Sequence, residues 1–344
     1  MQDGGKLMKS LRTFSIRNNK IVFWIGLCVL TVVTIIGGLW IGSVSLSPGD
    51  VFSALIGKDT TSTAARIVLY TRLPRICAAL LAGAALSVAG AIIQTVLNNP
   101  LASPGIIGVN SSAGLAVACV CAIVPSAQRF TPFVAFAGAF LGVTFVMLLS
   151  EKTGASRMTV ILAGVAVSNL FSAAIDGIVT IVPEALTGIT DFRIGGFTGV
   201  TMEQLKPAGL LILVSLCIVC SMSQQLDILA LGSDTAASLG LSVKPVRFLF
   251  LLLAAALAGA AVSFSGLLSF VGLVVPHTMR KLRGETGLSF LLASALGGAF
   301  FVTLCDLLAR VIFSPFELPV GIVLAFSGAP FFLWILLKQR GGHV

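Results

Sequence analysis

Long apolar runs that contain few or no charged residues follow one another along almost the whole chain. A membrane-spanning helix needs about 20 apolar residues, because each residue adds about 1.5 Å and the hydrocarbon layer is about 30 Å thick. The run at 265–279 is short and continues its predecessor, but Ser263, Ser265 and Gly266 favour a tight turn between two helices. The pattern therefore predicts about ten membrane helices, at 22–42, 76–97, 105–124, 130–150, 158–182, 207–223, 248–264, 265–279, 286–309 and 318–337.

The composition supports a single membrane-embedded domain. Hydrophobic residues make up 57% of the 344 residues and charged residues 10%, whereas a soluble domain has about 25% charged residues. A chain with so few charges cannot cover a water-facing surface. The prediction is an all-α polytopic membrane protein with a membrane domain at 22–338, an N-terminal tail at 1–21 and a C-terminal tail at 339–344.

Basic residues are unevenly distributed among the connections between the apolar runs. With the N-terminus inside, the inside segments hold fourteen of the 22 Lys and Arg residues, as the positive-inside rule requires. Ten spans with both termini cytoplasmic fit this distribution, whereas merging 248–279 into one span would place Lys338 and Arg340 outside. The first run, Val22 to Gly42, exceeds the roughly 7–15-residue apolar core of a signal peptide and is expected to be retained. The net charge of +9 follows from the loops and does not indicate nucleic acid.

A weak internal similarity suggests that the chain consists of two related halves. Arg75 before the second predicted helix and Arg247 before the seventh are each followed by runs of Ala, Leu and Gly. Copies of five helices would have opposite orientations in the membrane, as in many transporters. Small residues also suit any contact between membrane helices, so the similarity alone is not specific.

Gly and Pro interrupt both halves at comparable places, at 98–105 and 270–277. Backbone groups exposed in this way are tolerated in a membrane only beside protein or a water-filled cavity. Gln94 and Asn98, the polar residues near the first interruption, are candidates for lining a pathway. Pro276 and His277 in the second interruption are expected to have structural roles.

Few ionisable residues lie inside or at the ends of the predicted spans, and a charge within a span is costly enough to need a partner or an aqueous path. Asp306 and Arg310 are four residues apart and can form a structural pair, while Glu317 can cap the start of the last helix. Asp176 lies in the middle of the fifth span with no charged residue within a turn. It is therefore either a satisfied structural group or part of a pathway.

Motifs for bond chemistry or metal binding are absent from the sequence. There is no GxxxxGK[ST] nucleotide-binding loop, no HExxH and no GxSxG. The two histidines, His277 and His343, do not belong to a cluster with metal-ligand spacing. All seven cysteines lie in apolar runs, where packing is the expected role. The chain is therefore expected to bind no cofactor itself and not to be an enzyme.

Two connections have compositions that allow more than one interpretation. The connection at 224–247 combines Leu and Ile with the helix breakers Gly232 and Gly240, which favours two short amphipathic helices at the membrane surface. It is either an ordinary surface loop or a docking element for another protein. On the opposite side, Arg72 and Arg75 precede the second helix. They are either interfacial anchors or partners for acidic groups of an external protein.

Long ordered motifs in the chain resemble those of a known family. They are RLPR at 72–75, GAALSVAGAIIQ at 83–94, NPLASPGIIG at 99–108, GGFTGV at 195–200, SGLLSFVGLVVPHTMRKLRG at 265–284, DLLAR at 306–310, ELPVGIV at 317–323 and GAPFFLWILLK at 328–338. From about residue 22 to 338 the chain resembles the permease subunits of ABC importers for iron–siderophores, haem and cobalamin, the ten-helix type II importers. The resemblance is specific to the family and does not identify the substrate.

The resemblance implies several partners in a bacterial plasma (inner) membrane. A second permease, identical or related, would complete the pathway, two ATPase subunits would carry ATP and Mg²⁺, and a substrate-binding protein would deliver the substrate. Acidic residues of that protein would dock on Arg72, Arg75 and Arg310. The fifth helix lines the pathway in the family, which would place Asp176 near it. The ATPases would contact a set of leucine and glycine positions in the 224–247 connection: Leu229, Leu231, Gly232, Leu239, Gly240 and Leu241.

The sequence allows more than one substrate and more than one source of energy for transport. An iron–siderophore, either a ferric hydroxamate or a ferric catecholate, is the expected substrate, with cobalamin and haem as alternatives. A proton-coupled secondary transporter would also have ten spans, inverted halves and an intramembrane acid, but it would need no ATPase subunits. A scaffold protein would carry no substrate at all.

Overall fold

The computed structural model describes residues 3–42, 44, 46–57, 62–124, 130–152, 157–284 and 287–340, in which every regular element is a helix. Residues 1–2 and 341–344 of the two predicted tails, including His343, lie outside this range. In chain order the elements are α1 (Asp3–Trp40), α2 (Pro48–Leu55), α3 (Thr63–Ile67), a π-helical turn (Val68–Arg72), α4 (Leu73–Val96), α5 (Val109–Ile123), α6 (Thr131–Lys152), α7 (Arg157–Ile181), a 3₁₀ turn (Pro183–Ala185), α8 (Leu186–Ile194), α9 (Met202–Ser221), α10 (Ser223–Ala230), α11 (Ser233–Ser238), α12 (Val243–Ser265), α13 (Val271–Arg283), α14 (Leu288–Val311) and α15 (Val320–Arg340).

Seven helical segments within the described residues are long and apolar enough to cross a membrane. Two further apolar helices, Val109–Ile123 and Val320–Trp334, are shorter. Each predicted run coincides with a helix, but the count of ten spans and the position of the termini stay predictions. The seven segments are Ile21–Trp40, Thr63–Val96, Thr131–Ser150, Met158–Ile181, Met202–Ser221, Val243–Ser265 and Leu288–Val311.

The predicted span at 265–279 differs most from its helix. α12 continues to Ser265, and α13 begins only at Val271 and has 13 residues. The backbone explains why α13 begins later than predicted, because Gly266 and Phe270 have φ values of +65° and +67°. Residues with positive φ cannot continue a right-handed helix, so they separate α12 from α13.

The second predicted helix begins earlier than the apolar run suggested. The helical path is continuous from Thr63 to Val96, and a π-helical turn precedes α4. In that turn the Leu73 N–H donates to the carbonyl oxygen of Val68. Pro74 follows as the second residue of α4, so the residue that has no N–H to donate lies directly after the π-helical turn.

α4 lies at the centre of the bundle and packs against α12, α13 and α14. A Cβ atom on Gly83 would overlap the carbonyl oxygen of Gly298, and one on Gly90 would overlap that of Gly272. Small residues of this kind let membrane helices approach closely. The central contacts of α4 with α14 and α13 therefore require glycine.

α4 and α12, the two helices whose sequences suggested related halves, occupy similar environments. Their membrane segments are 78% and 83% buried, the largest shares among the seven described segments, and they pack against each other. The segments of α1, α7 and α9 are only 22%, 22% and 33% buried. These three helices therefore form the exposed flanks of the chain, while the inverted relation of the halves stays a prediction.

Candidate functional site

Five charged residues from separate parts of the sequence form one cluster, which we call the arginine–carboxylate cluster: Arg72, Arg75, Asp306, Arg310 and Glu317. Arg75 Nε donates to Asp306 Oδ1 and Oδ2 at 3.0 and 3.2 Å, and Arg75 Nη1 donates to Glu317 Oε2. Asp306 Oδ2 also lies 3.3 Å from Arg310 Nε, four residues further along α14. One carboxylate thus joins two guanidinium groups, and the i,i+4 pair anticipated from the sequence is present.

The other arginine contacts hold the end of α1. Arg72 Nη1 donates to the carbonyl oxygens of Leu39 and Trp40, both at 2.7 Å. Arg310 Nη1 donates to the carbonyl oxygen of Gly38 at 3.0 Å. The last carbonyl groups of a helix lack partners within the helix and carry partial negative charge. Arg72 and Arg310 therefore stabilise the C-terminus of α1 against α4 and α14.

Burial distinguishes this cluster from an open cationic surface. Arg72, Arg75 and Arg310 are 4%, 6% and 2% exposed, and Asp306 is fully buried. The Glu317 side chain is 26% exposed and lies at the rim. Buried charges are stable only when they are paired and hydrogen-bonded, as most of these are. The three arginines predicted to dock a binding protein thus contact their own chain first.

In the 224–247 connection, which was predicted to contact an ATPase, some leucines are buried against the chain and others are exposed. Leu226 and Leu229 on α10 are each 2% exposed, whereas Leu231 and Leu239 are each 60% exposed. Gly232 and Gly240 have φ values of +106° and +83° and face open space. Leu229, one of the predicted contact residues, therefore anchors the segment to the chain, and Leu231 and Leu239 form its outward surface. Leu241 is half-buried where α12 begins.

Asp176 lies on an exposed polar face of α7. Its side chain is 70% exposed, and Arg193 Nη1 on α8 lies 3.9 Å from its Oδ1. Asn169 and Thr180, seven residues before and four after it, are also exposed and lie on the same helical face. Polar side chains on a membrane helix need protein or water beside them. Arg193 lies in a predicted loop, so spacing along α7 alone did not reveal this pairing.

Gln94 does not face an open pathway in this structure. Its side chain is buried between α4 and α13, where Nε2 donates to the carbonyl oxygen of Gly272 at 3.1 Å. Its Oε1 accepts a hydrogen bond from Arg280 Nη1 at 3.2 Å. Both ends of the amide are therefore used to hold α13 against α4. In this structure the amide joins the two helices, and the pathway role of Gln94 stays a prediction.

The remaining residues of the two interruptions are placed as follows. Asn98 is exposed and follows α4 with φ at +48°, a conformation that asparagine tolerates better than most residues. Its pathway role stays a prediction. Pro276 is buried inside α13, and His277 beside it is half-buried. Among the described residues, no group of three His, Cys, Asp or Glu side chains could hold a metal ion.

A cavity of about 530 Å³ lies next to α8. Its walls are α8, the following GGFTGV segment, the first turns of α6 and α9, and the end of α12. Backbone hydrogen bonds fix this region: the Gly196 N–H donates to Ser265 O at 2.8 Å, and the Leu267 N–H donates to Phe192 O at 2.9 Å. The Gly321 N–H at the start of α15 donates to Gly195 O at 3.2 Å. Three segments that are far apart in the sequence therefore meet here, and no local sequence pattern predicts this junction.

These features define the chain as a multi-pass α-helical membrane protein with a buried charged cluster at one end of α14 and an amphipathic segment at the other. The FecCD transport family matches residues 30–338, and the chain belongs to this family. The resemblance carried by the sequence motifs is thereby confirmed.

Individual relatives are similar along almost their whole length. The chain is 36% identical to the Fe(3+)-citrate import system permease protein YfmE of Bacillus subtilis, with 90% of this chain and 93% of the relative covered. It is also 36% identical to the hemin transport system permease protein HmuU of Yersinia pestis, covering 91% and 95%. A solved metal-chelate type ABC transporter in an inward-facing conformation is 31% identical, with a TM-score of 0.80 and coverage of 93% of this chain and 99% of that chain.

Proposed function

We propose that this chain is the membrane-spanning permease subunit of an ATP-driven importer. The family match over residues 30–338 carries the proposal, and the similarity to two permease proteins and one ABC transporter supports it. The chain performs no bond chemistry in this scheme. ATP and Mg²⁺ belong to two partner ATPase subunits, and a substrate-binding protein delivers the cargo.

The proposed cargo is an iron–siderophore, either a ferric hydroxamate or a ferric catecholate. Support comes from the relative named for Fe(3+)-citrate import and from the structure described as a metal-chelate type transporter. Haem and cobalamin are the alternatives. A relative named for hemin transport has the same identity as the one named for iron citrate, so sequence identity does not separate these cargoes.

The proposed pathway runs between this chain and a second permease, identical or related. The exposed face of α7 supports this assignment, because Asp176 and its polar neighbours would otherwise face lipid. A water-filled pathway or a partner subunit would cover them. Asp176 is the residue that we assign to the pathway, with Asn98 as a second candidate.

The proposed ATPase contact is the outward surface of the segment from Ser223 to Gly240. Leu231 and Leu239 are large apolar side chains that are each 60% exposed, and they flank the short helix α11. Apolar residues in this position favour burial against a partner protein. Leu229 and Leu226 would hold the segment on the permease while the ATPase moves it.

The proposed docking site of the binding protein is the arginine–carboxylate cluster. Acidic residues of the binding protein would replace Asp306 or Glu317 as partners of Arg72, Arg75 and Arg310. Arg310 Nη2 is buried and has no hydrogen-bond partner among the described residues, so an incoming carboxylate would satisfy it once the cluster opens. Because charged contacts of this kind are screened by salt, the affinity of docking should fall as ionic strength rises.

Uptake by a strain that lacks this chain tests the proposal. Labelled ferric hydroxamate, ferric catecholate, haem and cobalamin are offered separately, and the gene is then restored. We expect uptake of one ferric siderophore to be lost and recovered, and to require an active ATPase partner. Uptake that collapses with an uncoupler and persists without the ATPase would support a proton-coupled transporter instead. Recovery only with haem or cobalamin would overturn the substrate assignment alone.

A further inference from the structure

A single acidic residue connects the outward segment to a long membrane helix. The N–H of Gly287 donates to Asp227 Oδ1 at 2.7 Å. Asp227 belongs to α10, and Gly287 is the N-cap residue of α14 with φ at +90°. A carboxylate at a helix N-terminus is stabilised by the unpaired N–H groups and the helix dipole. The positive φ, which only glycine adopts easily, turns this N–H towards α10.

The Asp227 contact is held by packing on the α10 side. Leu226, immediately before it, and Leu229, two residues after it, are each 2% exposed. Asp227 itself is half-buried, so its carboxylate is not a freely moving surface group. A second contact holds α11, because Arg247 Nη2 on α12 donates to Ser233 Oγ at 2.8 Å. The segment therefore has two hydrogen-bonded attachments, one to α14 and one to α12, and α10 also packs against α4.

α14 is suited to carry a movement over a long distance. It contains 24 residues, which corresponds to about 36 Å at 1.5 Å per residue. Gly298 in its middle lies against Gly83 of α4 with no room for a side chain on either glycine. Near its other end, Asp306 and Arg310 belong to the arginine–carboxylate cluster. One rigid helix therefore contacts the outward segment at its start and the cluster near its end.

We propose that Asp227 is a positioning residue that transmits movement of the outward segment to α14 and, through α14, to the arginine–carboxylate cluster. A packed rigid element whose ends contact both sites is a physical route for such coupling. The inference rests on the proposed function as an importer permease. It adds a specific residue and a specific helix to that function.

The complete transporter, with its ATPases and binding protein in liposomes, provides the test. Asp227→Ala removes the acceptor, Asp227→Asn keeps an acceptor oxygen without the charge, and Asp50→Ala removes an exposed acid on α2 as the control. Asp227→Ala should keep the ATPases bound, because Leu231 and Leu239, the proposed contact residues, are unchanged. Uptake per ATP hydrolysed should fall about tenfold, the factor that about 1.4 kcal/mol represents, with Asp227→Asn in between and Asp50→Ala unchanged.

The labelling rate of a cysteine on α14 shows whether Asp227 transmits movement or only stabilises the fold. Cys305, beside Asp306, is 3% exposed, and its labelling rate can be followed in a chain whose other cysteines are replaced by alanine. ATP binding to the partner should change this rate in the otherwise unmodified chain and leave it unchanged with Asp227→Ala. Equal changes in both proteins, or an unaltered uptake per ATP, would overturn the inference. A wild-type complex without ATP-dependent uptake would overturn the proposed function, and the inference with it.

Discussion

The carboxylate of Asp306 lies between two buried guanidinium groups, and its replacement by asparagine removes the charge while nearly keeping the shape. Its oxygens accept hydrogen bonds from Arg75 Nε at 3.0 and 3.2 Å and lie 3.3 Å from Arg310 Nε. Removing one member of a buried ion pair costs about 3–5 kcal/mol. Arg75 keeps Glu317, and Arg310 keeps the carbonyl oxygen of Gly38. We therefore expect the lower end of this range, about 3 kcal/mol.

Cysteine labelling in detergent measures this loss at the site itself. Cys305 is adjacent to Asp306 and 3% exposed, so it reacts only when α14 opens. When opening and closing are fast, the labelling rate follows the population of the open state. A loss of about 3 kcal/mol should raise the rate on the order of 100-fold.

The control variant Asp191→Asn changes an exposed acid on α8 and should leave the labelling rate unchanged. Cys121 on α5 is 4% exposed and serves as a second reporter, because its rate rises as well if unfolding is global. A rise at Cys305 of less than about fivefold, which corresponds to less than about 1 kcal/mol, would refute the reasoning that the buried pair stabilises this region.

Two glycines and one aspartate provide further tests. Gly83→Ala places a Cβ atom on the Gly298 carbonyl oxygen, so we expect a loss of about 1–3 kcal/mol or more in thermal stability, whereas Gly26→Ala, which has no atom within 4 Å, should be neutral. Gly232→Ala strains a backbone with φ of +106° and ψ of 158° by about 1–3 kcal/mol and should lower substrate-stimulated ATP hydrolysis; intact stimulation would count against the coupling role. Asp176→Ala changes a side chain that is 70% exposed, so stability should hold while uptake falls. Unaltered uptake of every substrate would remove Asp176 from the pathway.

The positions of the helices could be predicted because the length and composition of an apolar run decide whether it can span a membrane. Length and composition do not predict where α13 begins. Its apolar run begins at 265, but Phe270 adopts a left-handed conformation and the helix starts at Val271. A bulky residue with positive φ is uncommon, and nothing in the residue type announces it. Gly328 on α15 leaves the space that the Phe270 side chain fills.

The candidate site was predictable only where its contacts are local. Asp306 and Arg310 are one helical turn apart, so their spacing alone brings them together. Arg75 reaches Asp306 across 231 residues of sequence, and no local pattern contains that contact. In the outward segment a signal was present, because Leu226 and Leu229 are three residues apart and share a helical face. Leu231 does not follow this spacing, which distinguishes it from the two buried leucines.

The two ends of α14 are held with different strength, and this difference suggests an order of events. At its start, a single hydrogen bond joins Gly287 to Asp227, and a hydrogen bond to a charged group contributes about 1.5–3 kcal/mol. Near its end, Asp306 belongs to a buried network in which the loss of one partner costs about 3–5 kcal/mol. The contact with α10 is therefore the weaker of the two, and it should move α14 only when the cluster at the other end is released. The cluster should change only when an acidic group of another protein replaces Asp306 as the partner of Arg75 or Arg310. In the proposed importer, α14 would thus move freely only after a binding protein has docked, which links the use of ATP to the arrival of the cargo.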